Sequence, residues 1–340
     1  MTDVTERPLD NASKPGISEG EAAVLGLAHK INWSALAPPL VFIAMLLGVS
    51  VLNSNYLGAL GVSIATATAA PIMFLALGQS MVLNIGSIDL SNAAIALLGA
   101  LMLALALPPL GIMAFVLILL LVTIIGAING AVIGFAQVPS FALTLGTLAI
   151  LQTAALVVSG ADTIYVTKNR EIVSTLFEKQ IFNAPLTFWI GIIAAVILWF
   201  ILRYTILGQN MTAMGKNELG ATLSAVPTRR VRIITYALSG FMGGLAGLSI
   251  VAQAGSASAS GLGSDLLLPG IAAALIGGTS ISGGQTNPLN VVFGGLTVGF
   301  VPIAIQAMGL GAQAQSLVYG IFIILVVAIT TVRSRDLIIK

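Results

Sequence analysis

Apolar runs of about 20 residues follow one another along most of this chain, and that is the length a helix needs to cross a bilayer. The chain has 340 residues, of which 57% are hydrophobic and only 8% are charged. A soluble domain carries about 25% charged residues, so this chain cannot build a water-facing surface. The runs also lack the strict alternation of an outer-membrane barrel. The sequence therefore predicts an all-α, polytopic transmembrane helical bundle.

The apolar runs divide into ten predicted spans, and together they form one predicted transmembrane domain, 34–340. Residues 1–33 are polar and mixed in charge, and we expect a flexible cytoplasmic tail with a short surface helix near Glu21–Lys30. The predicted spans are 34–52, 61–84, 90–107, 111–137, 140–158, 187–205, 231–254, 266–281, 289–308 and 314–332.

The basic residues predict the orientation of the spans. Positively charged loops remain in the cytoplasm, so the segment 206–230 and the C-terminus are expected inside. The loop 159–186 has balanced charges and is expected in the periplasm. Ten spans then place both termini in the cytoplasm. The basic residues in question are Arg203, Lys216, Arg229, Arg230 and Arg232 around 206–230, and Arg333, Arg335 and Lys340 at the end.

Two acids, Asp89 and Asp265, lie in the apolar body outside the longer loops. Each precedes an apolar run, so each could cap a helix; the alternative is a direct role in gating or substrate contact. Their surroundings, GSIDLSNAAIALLGA and GLGSDLLLPGIAAALIGG, resemble each other and fall on opposite sides of the predicted topology. Spans 2–5 and 7–10 are therefore predicted to be inverted halves, as in many transporters. Chance similarity between apolar sequences is the alternative.

Nothing in the chain predicts energy-coupling chemistry. It has no cysteine, and its single histidine, His29, lies in the tail. Residues 281–285, ISGGQ, look like the signature of ABC ATPases, yet no phosphate-binding loop GxxxxGK[ST] accompanies them. We therefore expect a tight turn at Gly283-Gly284, followed by a helix that Asn287 caps and Pro288 begins. No cofactor and no metal is expected on this chain.

The segment 206–230 is basic but also moderately apolar. Residues 217–226 are predicted to form a short amphipathic helix, with Leu219, Leu223 and Val226 on one side and Pro227 at its end. Two interpretations remain open from the residues alone. The segment is either a solvated basic loop, or a helix that docks into a groove on a soluble partner.

Five stretches together resemble the permease subunits of ABC importers of the ribose/xylose/autoinducer-2 type. The departures from the family pattern are Asn92-Ala93, Asp265 and 285–287; they leave the fold assignment intact and the sugar open. The five stretches are the spaced pattern Gly208, Ala213, Gly215, Asn217, Ala221, Ser224, Tyr236, Ser239 and Gly240, and the segments 86–91, 138–147, 266–284 and 315–329.

The resemblance implies a type II ABC importer-like permease of the bacterial inner membrane, which is not an enzyme. It implies a permease homodimer, two cytoplasmic ATPase subunits or one double-length ATPase that bind ATP and Mg, and a periplasmic sugar-binding protein. A monosaccharide is the implied substrate; a nucleoside, a polyol or a branched-chain amino acid is the alternative, and a stand-alone carrier is a different class. The implied ATPase-coupling residues are Gly215, Asn217, Glu218, Ala221 and Ser224.

A path for a neutral sugar needs amides and hydroxyls against an apolar wall, and the spans contain a small set of such side chains. Each of them could instead form a hydrogen bond between helices. The candidates for the translocation path are Gln79, Asn84, Asp89, Asn129, Thr144, Gln152, Gln253, Asp265 and Gln306.

Overall fold

The computed structural model describes residues 33–52, 58–260 and 262–330. The tail with His29 and the basic C-terminal residues Arg333, Arg335 and Lys340 lie outside these ranges. The first half of the described chain contains α1 (Trp33–Leu52), α2 (Ala59–Asn84), α3 (Asn92–Leu110), α4 (Met113–Ala136), α5 (Ser140–Ser159), β1 (Thr163–Tyr165), α6 (Arg170–Glu178), β2 (Gln180–Ile181), β3 (Ala184–Pro185) and α7 (Leu186–Tyr204).

The second half begins with two short helices that are joined almost directly to each other. It contains α8 (Ile206–Lys216), α9 (Glu218–Leu223), α10 (Thr228–Ala254), β4 (Ser256–Ser258), α11 (Leu262–Ile276), α12 (Pro288–Ala307) and α13 (Ala314–Thr330).

Each of the ten predicted spans coincides with a helix. In the described residues, seven helices are long and apolar enough to cross a membrane: α2, α3, α4, α5, α7, α10 and α12. The apolar stretches of α1, α11 and α13 are shorter. The chain is therefore a polytopic helical membrane protein, as the sequence predicted.

Three predicted boundaries are wrong. The span 266–281 ends at Ile276, because Gly278 has φ +82° and the chain turns there. The break predicted between the third and fourth spans at 108–110 lies at 111–112 instead, since α3 continues through Pro108-Pro109 to Leu110. The amphipathic helix predicted over 217–226 ends at Leu223 and not at Pro227, and Ala225 then takes φ +60°.

Glycines allow α10 to pack closely on α4. A Cβ on Gly130 would lie 2.8 Å from the carbonyl oxygen of Arg232, and one on Gly126 or Gly240 would overlap the backbone of the facing helix. Small residues at such positions let membrane helices approach to backbone contact. α4 and α10 therefore pack backbone against backbone at these glycines.

The connection between α5 and α7 carries small structured elements. β1 pairs antiparallel with β4, with Thr163 opposite Ser258, and β2 pairs antiparallel with β3. The strand pair β1–β4 ties the 159–186 loop to the end of α10. This loop emerges from the end of α5 remote from Ser140, so it lies at the opposite end of the bundle from the linker 85–91.

Candidate functional site: a buried polar network and a glycine junction

Asp89 is a fully buried carboxylate in the linker between α2 and α3. Its Oδ1 accepts hydrogen bonds from the Ser91 amide at 2.9 Å and the Ser91 hydroxyl at 2.6 Å, and its Oδ2 accepts one from the Ser239 hydroxyl at 2.7 Å. Burial raises the pKa of the Asp89 carboxyl, and the hydrogen bonds from Ser91 and Ser239 oppose that rise. Asp89 thus fixes Ser91, the N-cap residue of α3, and also reaches across to α10. It is not itself the cap of α3, which has no side-chain cap hydrogen bond.

The network around Asp89 continues into α4 and α5. Asn129 donates to the Ser91 hydroxyl at 2.9 Å, and Thr147 donates to Asn129 Oδ1 at 2.9 Å. The amide of Leu90 donates to Thr144 at 3.1 Å. The amides of residues 85–87 bond to carbonyl oxygens in the last turn of α2, and side chains from α4, α5 and α10 hold the rest of the linker 85–91.

Asn92 and Gln79 face a small cavity beside this network. The Asn92 amide donates to the Ser239 hydroxyl at 3.0 Å, and its Oδ1 has no hydrogen-bond partner in the described part of the chain. The Nε2 of Gln79 also has none there. Both side chains line a cavity of about 10 Å³ that α11 closes with Leu266, Leu267, Gly270 and Ile271.

The predicted path residues fall into two groups. Five of them are buried. Asp89, Asn129 and Thr144 meet around the linker 85–91. Gln79 and Asn84 lie on the last turns of α2. Gln253, Asp265 and Gln306 are exposed, and Gln152 is half-buried. Asp265 lies in the first turn of α11, so its surroundings differ from those of the buried Asp89.

The segment 206–230 folds into α8 and α9, each with a side-chain cap. Thr205 accepts from the Gly208 amide at 3.2 Å, and Asn217 accepts from the Gly220 amide at 2.9 Å. On α9, Ala221 packs inward while Leu219 and Leu223 are 70% and 79% exposed. The predicted apolar face of Leu219 and Leu223 is confirmed; Val226 lies beyond the end of the helix.

Three backbone segments meet at the end of α8, at Gly86, Gly215 and Gly283-Gly284. We call this meeting point the glycine junction. The Gly284 amide donates to the carbonyl oxygen of Asn84 at 2.8 Å. A Cβ on Gly215 would overlap both of these backbone atoms, and one on Gly283 would lie 2.7 Å from the Gly215 carbonyl oxygen. The ISGGQ stretch is therefore a tight turn packed against the segment 206–230.

The helix after this turn begins as predicted. Asn287 accepts from the Leu289 amide at 3.1 Å, and Pro288 is the first residue of α12. Positive φ at Gly283 and Gly284, +88° and +72°, requires residues without a Cβ. The tight turn accounts for Gly283-Gly284, and the helix start that follows accounts for Asn287 and Pro288.

An ion pair joins α9 to α10 beside the junction. Arg232 Nη2 lies 2.6 Å from Glu218 Oε1, and the Nε of Arg232 is buried without a partner in the described residues. Both side chains line a polar cavity of about 340 Å³ together with Gly86, Ser87, Gln137 and Ser140. The start of α9 is therefore tied to the same linker that Asp89 organises.

Sequence reasoning missed several members of the network. Ser91, Asn92, Ser239 and Tyr236 were not chosen as site residues, yet the Tyr236 hydroxyl donates to the Ile88 carbonyl oxygen at 3.2 Å. A polar residue two or three positions from a buried acid, at the start of an apolar run, is a pattern that could have identified Ser91 and Asn92. Ser239 and Tyr236 are distant in sequence, and only the packing of α10 brings them to Asp89.

The family model for the permease component of branched-chain amino acid transport systems matches residues 61–327. The chain belongs to this permease family. It is therefore a multi-pass transport subunit and not an enzyme, and the resemblance found in its motifs is confirmed. No solved structure matches the chain.

Several curated proteins similar to this chain are import permeases named for ribose, fructose or autoinducer 2. The chain is 28% identical over 257 residues to the ribose import permease protein RbsC of Haemophilus influenzae, covering 74% of this chain and 79% of RbsC. It is 28% identical over 317 residues to the fructose import permease protein FrcC of Rhizobium meliloti, covering 89% and 87%. It is 30% identical over 311 residues to the autoinducer 2 import system permease protein LsrD of Yersinia enterocolitica, covering 89% and 93%.

Proposed function

We propose that this chain forms the path by which a monosaccharide crosses the bacterial inner membrane in an ABC importer. The observation that carries the proposal is the family match over 61–327, together with relatives whose names specify ribose and fructose import. The buried polar side chains agree with it, since amides and hydroxyls can bind a neutral sugar without a buried charge. The family description itself names branched-chain amino acids, and these are the second candidate substrate class.

Energy would come from separate ATPase subunits that bind ATP and Mg and dock on α9. Leu219 and Leu223 leave an apolar face exposed on a short capped helix, which suits insertion into a groove. A purely solvated basic loop would have no reason to expose two leucines on one side. Gly215, Asn217, Glu218, Ala221 and Ser224 serve this docking by shaping the turn, the cap and the inner face of α9.

The transmembrane domain is proposed to consist of two inverted halves, α2–α5 and α10–α13. The packing supports this arrangement, because α10 contacts α3 and α4 while α2 contacts the corresponding α11 and α12. Glycines line both contacts: Gly126 and Gly130 of α4 face α10, and Gly295 and Gly299 of α12 face α2. Related halves can open alternately to either side of a membrane.

The proposed topology has ten spans, with a cytoplasmic tail 1–33, both termini inside, the segment 206–230 inside and the loop 159–186 in the periplasm. The excess of basic residues around α8 and α10 over the single acid Glu218 supports the inside placement of 206–230. A second copy of this chain and a periplasmic binding protein would complete the importer. Reporter fusions at residues 162 and 340 test the topology, because only the first is expected to report a periplasmic location.

The experiment that tests the function is uptake by the reconstituted complex. The permease is placed in proteoliposomes with its ATPase and binding protein, and ATP-dependent uptake of D-ribose, D-fructose and L-leucine is measured. We expect uptake of a sugar and none without the ATPase. Uptake of L-leucine alone would support the second substrate class, and uptake by the permease alone would identify a stand-alone carrier.

A further inference from the structure

A small polar cavity lies inside the bundle between α2, α3 and α11. Gln79, Asp89 and Asn92 line it, and these residues are only 2%, 0% and 3% exposed. The Nε2 of Gln79 and the Oδ1 of Asn92 have no hydrogen-bond partner among the described residues. Buried polar groups are almost always hydrogen-bonded, so amide and carboxylate side chains around one cavity favour a ligand that both donates and accepts hydrogen bonds.

A hydroxyl group or a water molecule has this chemistry. The cavity measures about 10 Å³, which is room for one water molecule. Its opposite wall is aliphatic, formed by Leu266, Leu267 and Ile271 of α11. A polar wall facing an apolar wall is also how proteins bind a small hydroxylated molecule, but a sugar can enter only if α11 separates from α2.

The helices on both sides of the cavity end at the glycine junction. The last residue of α2, Asn84, accepts the hydrogen bond from Gly284, which lies in the turn that follows α11. Gly215 packs against both of these residues. A displacement of the segment 206–230 therefore acts directly on the ends of the two helices that enclose the cavity.

We propose that this cavity is a hydroxyl-binding site on the translocation path, with Gln79 and Asn92 as its hydrogen-bonding residues. A substrate hydroxyl enters the cavity when α11 moves away from α2. This assignment rests on the proposed function and adds to it the side chains that contact the sugar inside the membrane.

The first test replaces Gln79 by methionine in the complete complex in proteoliposomes. Methionine keeps the length of the side chain and removes its amide, and losing one hydrogen bond to the substrate lowers uptake of D-ribose or D-fructose by about tenfold. Leu77→Met is the matched control, because Leu77 is buried on the same helix and does not line the cavity, and its uptake stays at the wild-type rate. Wild-type uptake by Q79M would overturn the assignment.

The second test uses the absence of cysteine from the chain, which makes any introduced thiol unique. Ala93 lines the cavity, whereas the neighbouring Ala94 is buried in the core away from it. During ATP turnover, 2-aminoethyl methanethiosulfonate is expected to label A93C at least several times faster than A94C. Equal labelling of the two variants would contradict the opening of the cavity.

The two tests separate this proposal from the proposed function. A wild-type complex that moves L-leucine and no sugar would refute the sugar assignment, while faster labelling of A93C would still support a cavity that opens. If Q79M does not assemble with the ATPase, the comparison of A93C with A94C decides whether the cavity opens during turnover.

Discussion

The amide of Gly284 donates a 2.8 Å hydrogen bond to the carbonyl oxygen of Asn84, joining the turn after α11 to the end of α2. Gly215 lies against both atoms, with no space for a side chain. The segment that is expected to meet the ATPase therefore rests on a contact between two transmembrane helices. This geometry offers a short mechanical connection from the segment 206–230 to the helices that enclose the small cavity between α2, α3 and α11.

Gly215→Ala is expected to abolish sugar-stimulated ATP hydrolysis and uptake. The new methyl group would collide with the backbone at Asn84 and Gly284, so the junction must separate. The measurement is the sugar-stimulated release of phosphate from ATP by the reconstituted complex. Gly146→Ala is the control, because nothing lies within 4 Å of a Cβ there. Normal stimulation in G215A would show that the junction does not transmit the motion.

Replacing Leu219 and Leu223 together by asparagine is expected to weaken binding of the ATPase at least tenfold. Both leucines are mostly exposed on α9, so the change removes an apolar face without opening a core. Co-purification and titration of the ATPase against the permease in detergent measure the effect. The double replacement by methionine keeps the face apolar and should bind normally. Unchanged affinity of the asparagine variant would favour the solvated-loop interpretation.

Asp89→Asn is expected to destabilise the permease by about 2 kcal/mol, because an amide nitrogen replaces one of the two oxygens that accept from Ser91 and Ser239. The change in stability is measured by thermal unfolding in detergent, with the loss of monodisperse protein as the readout. Asp162→Asn changes an exposed carboxylate in the 159–186 loop and serves as the control. A D89N variant as stable as D162N would contradict the structural role of the network.

Gly126→Ala is expected to destabilise the permease by about 1–3 kcal/mol, since overpacking forces α4 away from α10. The Cβ of an alanine would overlap the carbonyl oxygen of Tyr236. Unfolding temperature and detergent stability are the measurements. Gly320→Ala on α13 is the comparison, because the position is open, and alanine there should be neutral or slightly stabilising. Equal stability of the two variants would mean that α4 and α10 do not pack this closely.

The positions of the helices were predictable because the length of an apolar run depends only on the residues within a short window of sequence. Each predicted span coincides with a helix, and the cap at Asn287 and the turn at Gly283-Gly284 were recognised from the residues alone. The errors lie at helix ends, where Gly278 and Ala225 take positive φ. The sequence contains no periodic pattern that marks such a change of backbone direction.

The sequence by itself determined that the chain is a membrane-embedded helical bundle, and its ordered motifs indicated the permease family. Only the tertiary structure decided which polar residues act together. Asp89 meets Ser239 across 150 positions of sequence, and the glycine junction joins residues 84, 215 and 284. Hydropathy and turn chemistry depend on neighbours along the chain, whereas a hydrogen-bond network depends on helix packing, which the one-dimensional pattern does not specify.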